Sequence, residues 1–237
     1  MTQSTSQVEG TGRRAGLDRD EVVQRALELV ERDGPDALTM RKLANDLDVT
    51  TTTIYWHVGG REALVTAVIE KMAQLQADFE VMGDTPHDRV LLIASRIWDN
   101  AHTHRNVTSL AHRTGSTGRL ELPLQIAMVQ EFEAAGVRGA KARDALRATM
   151  MCIAGFLVVA LRQPRAQRER KDLDDDLESV DLWESVPSET VSSATRSALG
   201  KPAKLRPLFL ITVSAVINDY LPRTDRNEAE TLNQEKQ

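Results

Sequence analysis

Thr39-Met40-Arg41-Lys42-Leu43-Ala44 and Thr50-Thr51-Thr52-Thr53-Ile54-Tyr55-Trp56-His57-Val58, joined by Asn45-Asp46-Leu47-Asp48-Val49, read as two short helices either side of a tight turn. Ala44 is small, which lets two helices linked by so short a turn cross closely and steeply. Leu43, Leu47, Val49, Ile54 and Val58 supply an apolar inner face. Asp48 stands where such a turn needs a left-handed backbone, which Gly takes best and Asp or Asn tolerates. Thr39 and Thr50 are placed as N-caps, since a Thr oxygen accepts from the exposed amides of a first helical turn. With the inner face assigned, Thr51, Thr52, Thr53, Tyr55 and Trp56 point outward or flank a contact surface, where hydroxyls reach phosphates and base edges. Ordinary core packing of the aromatics is the competing reading.

Upstream, Val22, Val23, Ala26, Leu27 and Val30 recur at helical intervals, so a helix is expected from about Asp18 to Arg32, stopped by Asp33-Gly34-Pro35. Downstream, Gly59-Gly60 closes the threonine-rich helix. A long fourth helix then starts at Arg61, with Leu64, Val65, Val68, Ile69, Met72, Leu75 and Phe79 inward, and Gly83-Asp84-Thr85-Pro86 ends it.

Residues 18 to 72 resemble the DNA-binding domain of the tetracycline-repressor (TetR) family, and Thr53-Ile54-Tyr55-Trp56-His57-Val58 is especially similar to the end of that family's recognition helix. The resemblance implies an all-α protein: an N-terminal three-helix domain with a helix-turn-helix, then a C-terminal helical domain for ligand binding and dimerisation. Carried over position by position, it implies base reading by Arg41, Thr51 and Thr53 and phosphate contacts by Thr39, Tyr55 and Arg61. It leaves Thr50 and Thr52 on the contact helix, and Trp56 and His57 to touch backbone or pack the domain. Arginine donating to guanine O6 and N7 discriminates by about 1–3 kcal/mol. Two departures keep the operator sequence from being transferred: Gly59-Gly60 replaces a loop that is often basic or amide-bearing, and Met40 stands where a hydroxyl is common.

Composition frames this reading and strains it. The chain has 237 residues, 4% aromatic, with one cysteine, Cys152, so an all-α protein without an internal disulfide framework is expected, in a reducing, cytoplasmic setting. Its opening residues are polar, with no apolar targeting segment. The longest apolar run, Ala148 to Leu161, is about 14 residues, short of the roughly 20 that span a bilayer, so no membrane partner is expected. Net charge is −5, and residues 1–71 hold nine Lys or Arg against twelve Asp or Glu. DNA binding must therefore depend on placement, with acidic residues on faces that screening hides from the phosphates.

The expected domains are a flexible arm over 1–17, a DNA-binding domain over 18–83 with its motif at about 39–58, a ligand-binding and dimerisation domain over 84–222, and a polar tail over 223–237. Within the second domain Val90, Ile93, Ala94, Ile97, Trp98 and Ala101 form one stripe. Leu122, Leu124, Ile126, Val129 and Phe132 are compatible with another. Helices at about 140–162 and 203–220 are apolar on more than one face, which predicts that each packs both on its own core and on a second subunit; two interior helices of a monomer are the alternative. Between them, a charge block from Arg165 to Glu178 precedes the amphipathic island Val180 to Val186, which makes Trp183 a candidate lid or anchor.

Trp98, His102, Met128, Phe132, Met151 and Phe156 are candidates to line an apolar ligand pocket, though all are ordinary core formers too. His102, His104 and His112 invite a metal reading. Residues two apart do not share a helical face, however, and no Cys or acidic partner is suitably spaced, so neither metal nor cofactor is expected. No nucleophile motif or glycine-rich phosphate loop appears, and no enzyme is expected. The function implied is a homodimeric regulator, a repressor released from a palindromic double-stranded DNA operator by a small, largely apolar inducer. The alternatives are a small-molecule-binding protein with a degenerate DNA-binding head and, behind it, a helical enzyme.

Overall fold

The computed structural model describes residues 17–161, 176–177, 183, 185–187, 189–201 and 203–221. The expected arm before Leu17, the charge block apart from Asp176 and Leu177, the stretch 180–182 and the tail from 223 lie outside the described residues. The chain divides into two compact units, one ending at Lys71 and the other starting at Met72.

The first unit is built from α1 (Arg19–Asp33), a 3-10 turn (Pro35–Ala37), α2 (Met40–Asp46), α3 (Thr51–Val58) and the opening turns of α4 (Arg61–Ala77). Each boundary has a local chemical cause. Asp18 caps α1 by accepting from the Glu21 amide at 2.8 Å, with Asp20 and Glu21 complementing the positive end of the helix. Thr39 accepts from the Lys42 amide and Thr50 from the Thr53 amide, each at 3.2 Å, so both expected caps are in place. Asp48 takes the left-handed conformation with φ 55, and the chain turns there from α2 into α3. Gly59, at φ 75, donates to the Tyr55 carbonyl and stops α3 where a side chain would be strained. Val22, Ala26, Leu29, Val30, Leu38, Leu43, Ile54, Leu64 and Val68 are wholly buried. At about 1.5–3 kcal/mol for each large aliphatic side chain removed from water, this core outweighs any single cap. Leu47 and Val49, expected inward, are half-buried.

The second unit continues through α5 (Pro86–Thr103), α6 (Arg105–Arg113), α7 (Thr117–Ala134), α8 (Ala140–Leu161), α9 (Ser193–Leu199) and α10 (Leu205–Tyr220). The described residues add one two-residue antiparallel pairing, β1 (Asp176–Leu177) with β2 (Ala203–Lys204), in the register Asp176 to Lys204. Helix α5 begins at a Thr85 cap with Pro86 in its first turn, and its entire expected stripe from Val90 to Ala101 is buried. Helices α5, α7, α8 and α10 pack around one core. Side chains tie them crosswise: Arg89 of α5 pairs with Glu131 of α7 at 2.7 Å, Arg206 of α10 with Asp99 of α5, and Arg105 of α6 donates to the Ala160 carbonyl of α8 at 3.0 Å.

Three expectations about this chain change. Helix α4 ends at Ala77, well before Gly83; Leu75 is 53% exposed, and Phe79 leaves the helix to lie 5.8 Å beneath the Arg96 guanidinium. The buried face of α7 is Leu120, Leu124, Met128 and Phe132, an unbroken four-residue spacing that leaves Leu122 and Ile126 exposed. Helices α6 and α9 have no counterpart among the sequence expectations: each is short, and although Val107, Leu110 and Ala111 of α6 stand at helical spacing, they span little more than one turn.

Candidate nucleic-acid interface

Helices α2 and α3 present one outward surface. Thr39, Arg41, Thr50, Thr51, Thr52 and Arg61 are exposed, Tyr55 is 52% exposed and Trp56 is 85% exposed, while Ile54 and Val58 anchor the same helix from behind. An indole that far into water on a short helix is not core packing, because burying it would have contributed more than any other residue of α3. Thr53 and His57 are half-buried. The Thr53 hydroxyl lies 2.9 Å from that of Thr50, so these two threonines satisfy each other as part of the cap and Thr51 and Thr52 are the ones left to meet a ligand.

The electrostatics explain how an acidic unit keeps a usable positive surface. Arg25 of α1 pairs with Asp46 at 2.8 Å, Arg32 with Asp33 at 3.0 Å and Asp46 at 3.5 Å, and Lys42 of α2 with Asp33 at 2.8 Å. Hydrogen bonds from Arg32 and then Lys42 hold the Asp33 carboxyl down at about 2. With Glu28 also on Arg25 at 3.0 Å, three cations and three carboxylates neutralise one another in a patch that ties α1 to α2. Arg19, Arg41 and Arg61 have no ion-pair partner among the described residues, so the unpaired positive charge of this unit lies at the first turns of α1, α2 and α4. Lys42 was not singled out from sequence, since only the fold brings Asp33, nine positions away, against it.

The ligand candidates divide. Trp98, Met128 and Phe132 are wholly buried in the core of the second unit. His102 is half-buried, stacked on Trp98 with ring centroids 4.4 Å apart, its Nδ1 2.8 Å from the Trp98 carbonyl. Phe156 is half-buried and meets Phe209 of α10 edge-on at 5.7 Å, while Phe209 lies 4.7 Å from Trp98. Met151 is 77% exposed, because the core side of α8 runs Ala142, Ala145, Thr149, Ile153, Leu157 and Ala160 and a residue two positions from Thr149 and Ile153 faces away. Trp183 is half-buried in a short turn where its carbonyl accepts from the Val186 amide at 3.3 Å. Phe209 was read from sequence only as part of a helix; its place beside Trp98 comes from the packing of α10 on α5. An open groove of about 510 Å³ lies between α5 and α10, lined by Leu91, Leu210, Ile211, Ser214, Ala215 and Asn218. Glu121 of α7 has its carboxyl pushed up to about 7 by burial, offset in part by Gln125 at 3.4 Å.

Residues 22–68 match the family model described as bacterial regulatory proteins, tetR family. That stretch is a TetR-type DNA-binding segment. The tetracycline repressor protein class D of Escherichia coli is 39% identical over 67 residues, 28% of this chain and 31% of that repressor. The chain thus aligns with less than a third of the length of the curated relatives it matches. Over most of its length the chain shares its fold with TetR proteins of known structure. A TetR transcriptional regulator from Streptomyces coelicolor superimposes with a TM-score of 0.67 at 22% identity, covering 86% of this chain and 97% of that one. ActR of Streptomyces coelicolor, in complex with (S)-DNPA, superimposes at 0.58 with 18% identity, covering 87% and 98%. Beyond the stretch that the family model matches, the likeness is one of fold alone.

Proposed function

We propose that this chain is a homodimeric, ligand-responsive DNA-binding regulator of the TetR family: a cytoplasmic repressor that leaves a near-palindromic operator when a small, largely apolar molecule occupies its second unit. The observation that carries the reading is the outward face of α2 and α3, where Arg41, Thr51, Thr52, Tyr55 and Trp56 stand exposed over a fully buried Leu43 and Ile54. Arg41 and Thr51 reach base edges, with the Thr53 side chain supporting them through Thr50; Thr39, Tyr55 and Arg61 take phosphates.

A second copy is supported by the apolar faces that α8 and α10 leave in water. Met151, Val158 and Val159 of α8 and Leu208 and Ile211 of α10 are exposed on two helices that pack against each other. Helix α8 is long and apolar enough by length and composition to cross a membrane, with a mean hydropathy of 1.8 over its best window. Its other face packs in the core, so the exposed face is assigned to the partner subunit. In a two-fold dimer the recognition helices sit about 34–36 Å apart, one DNA turn. Helix α4 carries residues of both units, so a ligand that favours one arrangement of the second unit changes that spacing; the response is bounded by the ligand's differential affinity for the two arrangements.

A gel shift on DNA upstream of the protein's own coding sequence, repeated at several salt concentrations, tests the reading. A specific complex that weakens with salt is expected. Absence of any specific complex would favour the degenerate-head alternative, which the internally paired Arg25, Arg32 and Lys42 and the uncharged Gly59-Gly60 loop otherwise support.

A further inference from the structure

Trp98 lies within α5 with its side chain wholly removed from solvent. Around it the contacts are rings and hydrocarbon: His102 stacked at 4.4 Å, Phe209 at 4.7 Å, and Phe156 edge-on to Phe209 at 5.7 Å. The indole has one polar group, the Nε1–H, which can only donate. It is buried and has no hydrogen-bond partner among the described residues. Phenylalanine would fill most of the same space without leaving a donor unpaired, so the N–H is a cost to this packing that the fold itself does not repay.

We propose that the Trp98 indole N–H is the polar anchor of the ligand site, and that the ligand is a neutral, planar ring compound whose carbonyl or ring oxygen accepts that hydrogen bond. The ligand class follows from three features of the cluster. Ring faces at stacking distance favour a flat aromatic or conjugated partner. A lone donor selects a compound with an acceptor over an isosteric hydrocarbon. The rings that meet the indole, those of His102 and Phe209, include no carboxylate or guanidinium, so a charged ligand would be desolvated against them without a strong counter-charge. The donor is sealed in the packing described, so the ligand enters by parting the ring contacts, and the hydrogen bond it then makes exists only in the parted arrangement. That difference is what allows a small molecule to shift the balance between two arrangements. The inference rests on the proposal that the second unit binds a ligand.

Coumarin and naphthalene test it, being fused bicycles of nearly the same shape of which only coumarin carries a carbonyl. Binding to the full-length protein is measured by titration calorimetry, and the three indole N–H resonances of nitrogen-15-labelled protein are followed during each titration. Coumarin is expected to bind about 10-fold more tightly than naphthalene, the worth of one neutral hydrogen bond. It is also expected to move the Trp98 N–H downfield while naphthalene does not, with Trp56 and Trp183 as internal controls. In Trp98→Phe the preference is expected to disappear while naphthalene still binds. Equal affinity for the two probes, no coumarin binding, an unmoved Trp98 resonance or a preference retained in Trp98→Phe would each overturn the proposal. The resonance needs no variant, so a Trp98→Phe chain that failed to fold would leave the test intact. Operator binding is scored separately on the same preparation. Loss of the coumarin preference with a specific DNA complex removes only this inference, whereas no DNA complex removes the regulator reading whatever Trp98 does.

Discussion

Arg41 carries the most specific prediction about reading DNA. It is exposed at the start of α2 and has no ion-pair partner among the described residues. Replacing it with Ala is expected to cost about 1–3 kcal/mol, roughly 5- to 150-fold, at the operator and to weaken non-specific binding less. Footprinting on cognate and base-substituted operators checks this, and an unaltered sequence preference would refute the base-reading role. Glu121 makes a prediction about pH. Its folded carboxyl is raised from 4.5 to about 7, so the unfolded chain releases that proton first as pH rises. The resulting penalty is absent below about pH 4.5, grows through the interval and is complete above 7. Glu121→Gln should remove that part of the pH dependence and raise stability at pH 8 by on the order of 1–3 kcal/mol, read by urea unfolding at pH 5 and pH 8.

Helix α3 is held by a cap at one end and a glycine at the other, with Ile54 and Val58 behind. Thr50 both accepts from the Thr53 amide and meets the Thr53 hydroxyl, so Thr50→Ala should cost about 1 kcal/mol of stability and loosen the first turn that bears Thr51 and Thr52. Thermal unfolding measures the first effect and amide exchange across α3 the second. Between α1 and α2, Asp33 holds both Arg32 and Lys42. Asp33→Asn frees Lys42 and removes a negative charge, so non-specific DNA affinity should rise and the plot of log affinity against log salt should steepen by about 0.9 per freed cation. An unchanged slope would mean that Lys42 does not reach phosphate when released. The caps and turn residues of this motif were legible from sequence because each acts on neighbours within a few positions: Thr39, Asp48, Thr50 and Gly59 do what their local chemistry requires. Farther along, legibility fell. Helix α7 mixes apolar residues on several faces, so a two-residue alternation through Leu122, Leu124 and Ile126 looked as good as the true four-residue spacing through Leu120, Leu124 and Met128. The early end of α4 could not be read from its own residues, since Phe79 departs to meet Arg96, seventeen positions later.

For the assembled protein the exposed face of α8 and α10 sets the expected behaviour. A glutamate at Ile211, 68% exposed, should not disturb the core of one subunit but should place a charge in the proposed subunit interface. Ile211→Glu is expected to give a folded monomer by sedimentation. With one reading head per particle instead of two, it should lose about 100-fold or more in operator affinity. A variant that stayed dimeric would shift the interface elsewhere.

From sequence alone came the class of fold, the helix-turn-helix and its outward residues, and the two-faced character of the late helices, because period, capping and turn chemistry are properties of neighbouring residues. Tertiary structure decided the rest. It tied Lys42, Arg25 and Arg32 into ion pairs while Arg41 and Arg61 stay unpaired among the described residues, turned Met151 away from the core, and brought Phe209 against Trp98 with no partner for the indole N–H among the described residues. Each of these depends on which distant residues meet. Pairing of charges and burial of a donor are settled by contacts across the chain, where one helix packing on another outweighs the local preference of either.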